Sequence, residues 1–278
     1  FNPGKNGMED TIDKLHKSLL VLLKEFHRVC YENHLTYVVT GGTCLGAIRH
    51  KGFIPWDDDV DVCMPRDEYK RFIDVCNNGA LMPGVALQQY GKKEPHYSCP
   101  FVRLRLDNTL CVIPYHKQSG WNHLGIFLDI FPYDKLAFSN ERMIMAIKNK
   151  YLAVQRAIDN KLACKCSSFK SKIFHVLLAP IPVTHLIKKR QAVVRRLEKR
   201  RSGNESYYID LNTPYTLKRS IFSSSIFSNR EIVNFEDTSV FVPKDFDAFL
   251  TTMYGDYMKI PPVEKQVAHL PEIIRFKN

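Results

Sequence analysis

The sequence has little of what a membrane-spanning or secreted protein needs. Its longest apolar run, residues 176–187, is interrupted by Pro180 and Pro182. That run is also shorter than the roughly 20 apolar residues of a spanning helix. The opening residues, FNPGKNGMED, contain no apolar stretch of the kind that forms the core of a signal peptide. We therefore expect a cytoplasmic protein, and we leave open peripheral contact with the inner face of a membrane.

Cysteine is present, but not in the spacing of a zinc or redox motif. The one close pair, Cys164 and Cys166, is separated by a single residue. Most of the others lie inside apolar segments, where cysteine behaves as a small hydrophobic residue. Disulfides are the alternative, but we expect free thiols for the eight cysteines, at positions 30, 44, 63, 76, 99, 111, 164 and 166.

Acidic residues are fewer than basic ones. The chain of 278 residues has 29 Asp and Glu against 40 Lys and Arg, a net charge of +11 and a pI near 9.2. This balance suggests an anionic partner, which could be a phosphorylated small molecule, a membrane surface or nucleic acid. The basic residues concentrate in residues 185–201 without interleaved aromatic residues, so we expect no nucleic acid. This segment is either a solvated helix face or a surface for anionic lipid.

The apolar periodicity predicts a mixed α/β (α+β) fold. We expect residues 1–135 to form a catalytic core. Residues 136–278 should form a helical and irregular C-terminal portion packed on that core as one compact unit, with the clearest internal boundary at residues 202–204. Helices are predicted at residues 9–33, 43–48, 66–78, 140–161 and 185–201, and strands at residues 35–39, 85–89, 101–106, 110–113 and 125–132.

Residues 40–65, TGGTCLGAIRHKGFIPWDDDVDVCMP, carry the densest chemistry of the chain. Gly41 and Gly42 follow a predicted strand, and Thr43 opens a short helix. Glycines at this place let backbone N–H groups approach a phosphate, and a helix N-terminus attracts an anion. A simple turn is the alternative interpretation of the glycine pair.

The aspartates of this segment are spaced by two. On an extended strand, Asp57, Asp59 and Asp61 would share one face, with Asp58 on the other. Carboxylates this close raise one another's pKa unless a cation neutralises them. Oxygen ligands suit Mg²⁺ or Mn²⁺, so we predict a metal site here. The alternative is a solvated acidic turn.

A fourth aspartate, Asp129, lies in the middle of the apolar run GIFLDIFP. A lone carboxylate in such a run is costly unless it is paired or bound to metal. We therefore predict that Asp129 is a further metal ligand or a general base, with a buried structural aspartate as the alternative. Asp134, just beyond this run, is predicted to cap a turn or helix.

Basic residues near these segments are candidates for binding phosphate. Arg49 and Lys51 follow the glycine pair, with a solvated loop as the alternative. Arg103 and Arg105 are two apart on a predicted strand and could clamp phosphates, although an exposed cationic strand face would have the same pattern.

Four blocks of the sequence resemble the LicD family, the bacterial phosphocholine-transferase-like proteins related to the fukutin and fukutin-related transferases. The likeness spans most of residues 10–270. It lies in GGTCLGAIRHKGFIPWDDDVDVCMPRDEY (41–69), VRLRLDNT (102–109), GIFLDIFPYD (125–134) and FVPKDFDAFLTTMYGDYMKIPP (241–262).

The resemblance implies a nucleotidyltransferase-like mixed sheet flanked by helices. It implies that Gly41 and Gly42 meet phosphate and that Asp59 and Asp61 hold the metal, supported by Asp57. Asp129 falls on the family's further acidic position. The resemblance also implies a lid or core brace at residues 254–256 and a substrate contact at His269. The cysteine-ligated zinc site of the fukutin-related branch has no counterpart here.

The expected reaction transfers a phospho-alcohol, with phosphocholine as the first choice, from CDP-choline or another CDP-alcohol. The acceptor would be a sugar hydroxyl of a cell-surface glycan or lipid-linked glycan, as in lipopolysaccharide, teichoic acid or capsule, and CMP would leave. Asp59, Asp61 and Asp129 are the predicted catalytic residues. An aromatic cage for choline could use Trp56, Tyr115 or Trp121. The alternatives are a nucleotidyltransferase that releases pyrophosphate and a non-catalytic protein that binds nucleotide or glycan.

Overall fold

The fold was obtained as a computed structural model. It describes residues 5–113, 120–136, 140–162, 179–198, 207–268 and 271–276, with the backbone alone for residues 5–9. Cys164 and Cys166, Tyr115, His269 and the predicted boundary at residues 202–204 lie outside these ranges.

The helices follow the apolar periodicity of the sequence. The third helix shows why: Asp67 and Glu68 lie in its first turn, where they favour the helix dipole, and its apolar residues Tyr69, Phe72 and Cys76 are buried. The described helices are α1 (Lys5–Glu32), α2 (Gly41–Arg49), α3 (Arg66–Asn77), α4 (Glu141–Leu162), α5 (Val183–Glu198), α6 (Ser225–Ser228) and α7 (Phe246–Tyr254), with 3-10 turns at Leu217–Arg219 and Val263–Lys265.

The strands of the described chain form one mixed sheet and two small antiparallel pairs. They are β1 (Val38–Val39), β2 (Asp61–Pro65), β3 (Val85–Gln88), β4 (Val102–Leu106), β5 (Leu110–Val112), β6 (Phe127–Leu136), β7 (Tyr207–Ile209), β8 (Ile221–Ser223), β9 (Arg230–Phe235), β10 (Thr238–Pro243) and β11 (Ile273–Arg275).

The main sheet runs β1-β2-β6-β4-β3, and β7 joins the far end of β6 and pairs with β8. Strands β2 and β6 are parallel, while the other pairs in the sheet are antiparallel. Helices α1 and α3 pack against the sheet, and α4 packs against α5. The mixed α/β prediction is confirmed. The strands from residue 207 onward that extend the sheet show that the C-terminal part also contributes to it.

The register of the sheet brings together chemistry that is distant in the sequence. Asp61 on β2 lies beside Asp129 on β6, and Asp129 lies beside Arg103 on β4. Three consecutive strands of the sheet therefore place two carboxylates and one guanidinium in a row.

The hairpin of β9 and β10 supports the loop that leads into the acidic segment. At its turn, Glu236 donates its backbone N–H to the carbonyl of Lys51 at 2.8 Å. The Glu236 carboxylate accepts from the N–H of Phe53 at 2.9 Å, and the rings of Phe53 and Phe235 pack edge to face. The loop before Asp57 is thus held by residues about 180 positions later, a separation that the hydrogen bond from Phe53 to Glu236 spans.

Several local predictions need correction. The acidic run is not an extended strand, because β2 begins only at Asp61. Asp134 does not cap a turn or helix but lies inside β6, where it is 1% exposed and accepts two hydrogen bonds from Arg66, at 2.8 and 2.7 Å. The strand pairing supplied this partner, and local sequence does not reveal it.

Two further observations concern the cysteines and the helix lengths of the described part of the chain. Within the described ranges, the cysteines at positions 30, 44, 63, 76, 99 and 111 are free thiols, as expected for these six. No helix among these residues is both long and apolar enough to cross a bilayer.

We predict that Asp134→Asn lowers the free energy of unfolding by about 3–5 kcal/mol, because it leaves the Arg66 guanidinium, whose side chain is only 15% exposed, without its counter-charge. Chemical denaturation monitored by circular dichroism measures this loss. The matched control is Glu198→Gln, which breaks the exposed pair with Lys70 at 3.3 Å and should change stability little. Equal losses in both variants would contradict the interpretation.

Candidate functional site

A cavity of about 560 Å³ lies at the edge of the sheet where β1, α2 and β2 meet. One wall contains the glycine pair and the carboxylates of Asp57, Asp59 and Asp61. A second group of lining residues comes from the segment after β7 and from the end of α7. The lining residues are Thr40, Gly41, Gly42, Asp57, Asp59, Asp61, Phe101, Phe131, Tyr133, Asp210, Asn212, Thr213, Pro214, Tyr215, Arg219, Met253 and Tyr254.

The acidic wall is held by its backbone. Asp61 donates its N–H to Thr43 Oγ1 at 2.9 Å, and its carbonyl accepts from Thr40 N at 3.0 Å. The carbonyl of Asp57 lies 2.7 Å from the Nε2 atom of His16, whose ring stacks on Phe53 at 4.2 Å. The role of His16 as an anchor was not predicted, because one histidine in an amphipathic helix gives no signal of its partner.

The two glycines leave room for the carboxylates. A Cβ on Gly42 would lie 2.6 Å from Asp57 Oδ2, and one on Gly41 would lie 3.1 Å from Asp61 Oδ2. Gly41 also has a φ of +57°, a backbone angle that residues other than glycine rarely adopt. The pair therefore forms a cradle in which carboxylate oxygens rest directly against the start of α2.

This crowding changes how the aspartates titrate. Burial and the neighbouring Asp58 raise the pKa of Asp57 to about 7. Burial, followed by the charges of neighbouring aspartates, raises the pKa of Asp59 and Asp61 well above the usual range. Keeping these carboxylates ionised therefore costs free energy, and a bound cation would reduce that cost.

The arrangement of the carboxylates suits a cation with oxygen ligands. The ligand oxygens of Asp57, Asp58 and Asp59 all lie within 4.8 Å of one another, while Asp57, Asp59 and Asp61 line the cavity. Asp58 therefore belongs to the cluster, and its predicted place on the opposite face is wrong because these residues are not in a strand. An all-carboxylate donor set fits Mg²⁺ or Mn²⁺.

Asp129 does not line this cavity. Both of its carboxylate oxygens accept hydrogen bonds from Arg103, at 3.0 Å for Oδ2 and through a shorter contact from Nε for Oδ1. Asp129 is 7% exposed, and Arg103 is fully buried. Asp129 therefore has a buried ion-pair partner, as a structural aspartate would, and its assignment as a metal ligand or general base stays a prediction.

Arg103 and Arg105 do not form an exposed clamp. Both are 0% exposed, and their guanidinium groups lie over the ring of Phe127, at 4.0 and 4.8 Å from its centre. Arg105 also donates to Gln88 at 2.7 Å and to the carbonyl of Gly125. Burial and the charge of Arg103 lower the pKa of Arg105 to about 10. The positive charge of Arg103 favours the ionised forms of Asp59 and Asp61. It therefore lowers their pKa values and offsets part of the rise that burial causes.

The other basic candidates also lie away from the cavity lining. Arg49 donates to the carbonyl of Tyr257 at 2.7 Å, and thereby ties α2 to the segment after α7. Lys51 is exposed and contacts the hairpin through its backbone. The described residues that line the cavity include neither of them.

The proposed aromatic cage also changes. Trp121 is 6% exposed, donates to the carbonyl of His96 at 2.9 Å and packs on Tyr97, so it belongs to the interior. Trp56 packs edge to face against His50 and does not line the cavity. The aromatic residues that do line it are Phe101, Phe131, Tyr133, Tyr215 and Tyr254.

The second group of lining residues was mostly missed from sequence. Asp210 follows β7, accepts from Asn212 N at 2.8 Å and is buried. Burial raises its pKa to about 6, although the hydrogen bonds from Asn212 oppose the shift. Tyr254, expected in a lid or brace, lines the cavity, and burial followed by the charges of Asp61 and Asp57 raises its pKa. A carboxylate directly after a strand, as in YYID, was the one available signal.

Comparison with known proteins identifies the family. The family model described as "LicD/FKTN/FKRP, nucleotidyltransferase domain" matches residues 34–150. The lipopolysaccharide cholinephosphotransferase LicD of Haemophilus influenzae is 31% identical over an alignment of 278 positions. The alignment covers 90% of this chain and 92% of that protein. Uncharacterized proteins of Rickettsia typhi and Rickettsia prowazekii are 44% and 46% identical over 57 and 52 residues, about a fifth of each chain.

The family match begins just before β1 and ends inside α4, so it includes the glycine cradle, the acidic wall and Asp129. The similarity to the Haemophilus relative extends over most of the chain. This chain belongs to the LicD family and is a phosphotransferase enzyme.

Proposed function

We propose that this enzyme transfers phosphocholine from CDP-choline to a sugar hydroxyl of a lipopolysaccharide or related cell-surface glycan and releases CMP. The observation that carries the proposal is the carboxylate cluster in the glycine cradle, in a chain similar over most of its length to a lipopolysaccharide cholinephosphotransferase. The donor, the metal and the leaving group belong to the proposal.

Asp57 and Asp59 would hold Mg²⁺ or Mn²⁺, with Asp61 or Asp58 completing the carboxylate set. When bound, the ion would neutralise the diphosphate and polarise the phosphorus under attack. The start of α2 at Gly41 and Gly42 faces the same space, and a helix N-terminus favours an anion. These groups together orient the diphosphate and offset its charge.

In the proposed reaction the sugar hydroxyl oxygen bonds to the phosphorus distal to cytidine, and the bond from that phosphorus to the bridging oxygen breaks. CMP carries away the bridging oxygen and its electron pair. The hydroxyl proton passes to a carboxylate lining the cavity. We do not assign this step to Asp129, because both of its oxygens accept hydrogen bonds from Arg103. Positioning and charge neutralisation supply most of the catalysis in such transfers.

The cavity also offers surfaces for the choline group. A quaternary ammonium binds to faces of aromatic rings and to nearby negative charge. Phe101 and Phe131 pack together at 4.5 Å and line the cavity together with Asp210. They take the place of the tryptophans that the sequence suggested.

We also propose that the enzyme works at the cytoplasmic face of a membrane, where a lipid-linked acceptor would be presented. Helix α5 buries Leu186, Ile187, Val193 and Leu197 and exposes Lys188, Lys189, Arg195 and Arg196. Such a face is attracted to anionic lipid.

The products separate this function from its alternatives. Incubation with CDP-choline, Mg²⁺ and lipopolysaccharide acceptor should give CMP and a phosphocholine-bearing glycan, detected by chromatography and mass spectrometry. Pyrophosphate formed from CTP, with no CMP from CDP-choline, would identify a nucleotidyltransferase instead. Binding without either product would identify a non-catalytic protein.

We predict that Asp59→Asn lowers kcat by about a hundredfold or more, because it removes charge at the point where the diphosphate is neutralised. The same variant should be more stable than wild type in EDTA, since it relieves repulsion among the aspartates. Initial rates and thermal melts measure the two effects. A wild-type rate would contradict the assignment, and Asp61→Asn provides an independent second variant.

The pH dependence of stability follows from the raised pKa values. The folded state holds protons on Asp57 and its neighbours more tightly than the unfolded state, so unfolding releases protons and rising pH lowers stability. In EDTA, the contribution of Asp57 to stability should be full below its unfolded pKa of 3.8 and lost as the pH rises through about 7. Melts from pH 4 to pH 8 measure the decline, which should be smaller in Asp59→Asn.

We predict that Gly42→Ala lowers activity at least tenfold, because its Cβ would meet Asp57 Oδ2 at 2.6 Å and displace the carboxylate. Affinity for Mn²⁺, measured by calorimetry, should fall as well. Gly91→Ala is the matched control, because its Cβ meets nothing within 4 Å. Equal activity in the two variants would show that the cradle is not needed.

A further inference from the structure

Among the described residues, Arg219 is the one Lys or Arg side chain that lines the acidic cavity. The basic residues suggested by sequence lie elsewhere, either buried in the sheet or bound to other parts of the backbone. A site for an anionic diphosphate therefore has one direct cationic contact from the described chain.

Arg219 is placed to reach a substrate. It is exposed, lies at the end of the 3-10 turn Leu217–Arg219, and its guanidinium carbon is 6.0 Å from the centre of the Tyr215 ring. No carboxylate within the described ranges lies in ion-pair distance of it. It lines the same cavity as Asp57, Asp59 and Asp61.

The backbone on both sides of Arg219 is held by a buried lysine. Lys148 of α4 is 2% exposed, and its ammonium group donates to the carbonyl of Tyr215 at 2.7 Å and to Ser220 Oγ. Ser220 Oγ in turn donates to the carbonyl of Thr216 at 2.8 Å, and its own carbonyl accepts from Asp210 N at 2.8 Å. These bonds fix the backbone of the turn that carries Arg219.

Burying an ammonium group is costly, and here it is used to hold a surface turn. Burial lowers the pKa of Lys148, and the charge of Asp210 partly opposes this shift. Lys148 makes no ion pair among the described residues, so its hydrogen bonds to residues 215 and 220 are its main polar contacts. A turn held in this way positions the residue between them.

We propose that Arg219, positioned by Lys148, binds the diphosphate of the donor in the cavity that the aspartates also line. The assignment rests on the proposed function in one respect, that this cavity receives the donor. A guanidinium pairs with two phosphate oxygens at once, and oxygens that face away from the aspartates would be free to accept from it.

Calorimetric titration of the full chain with CDP in Mg²⁺ tests the assignment without requiring turnover. Arg219→Ala should weaken binding of Mg²⁺-CDP and Mg²⁺-CDP-choline about tenfold or more. The affinity of Arg219→Lys should lie between those of Arg219→Ala and wild type. Lysine keeps the positive charge but lacks the planar guanidinium that pairs with two phosphate oxygens. Lys218→Ala is the matched control. Lys218 is an exposed neighbour with the same charge, and it lines a different cavity. The affinity of the Lys218→Ala variant for Mg²⁺-CDP should therefore stay within about twofold of wild type.

Wild-type affinity in Arg219→Ala, an equal loss in Lys218→Ala, or absence of CDP binding by the wild-type protein would each overturn the assignment. Arg219-dependent binding of Mg²⁺-CDP by a protein that forms no phosphocholine product would sustain it while the proposed transfer fails. The two proposals can therefore fail separately.

A double-mutant cycle tests the role of Lys148. If Lys148 acts through Arg219, Lys148→Met should weaken Mg²⁺-CDP binding in the wild-type background and add little to Arg219→Ala. Additive losses would overturn this positioning role. Where Lys148→Met gives no cooperative melt, Ser220→Ala removes one of the same contacts and provides the same comparison.

Discussion

The cavity depends on keeping mutually repelling carboxylates close together. Asp57, Asp59 and Asp61 share one wall, and burial and their own charges raise their pKa values. The folded chain offsets part of this repulsion with the buried charge of Arg103, and a bound cation would offset more. The cluster thus lowers stability in exchange for a site that attracts metal and phosphate, a trade common at functional sites.

The surrounding structure holds these carboxylates in place. The glycine cradle removes the side chains that would displace them, and Thr43 and His16 fix the backbone of Asp61 and Asp57. The β9–β10 hairpin braces the preceding loop through Glu236. Because these contacts come from α1, α2 and the C-terminal half, the acidic wall needs most of the chain for its geometry.

Sequence reasoning succeeded where chemistry is local and failed where a partner comes from another strand. The periodicity of apolar residues identified the long helices, and the aspartate spacing identified the residues of the acidic wall. Asp129 was predicted to be a metal ligand or general base, and Asp134 was predicted to be a cap. Local sequence could not reveal their partners, because Arg103 and Arg66 come beside them only in the folded sheet. Arg105 followed the pattern of an exposed face, yet it is enclosed by Gln88 and Phe127.

The α/β class, the family and the segment that carries the carboxylates could be read from the sequence, since these depend on residue type and spacing along the chain. The tertiary structure decided which charges face the cavity. Asp58 joins the cluster because residues 57–60 are not a strand, Asp129 pairs with Arg103, and Arg219 lines the cavity from the segment after β7. Burial and ion pairing depend on distances between segments far apart in the chain, and a linear pattern does not contain those distances.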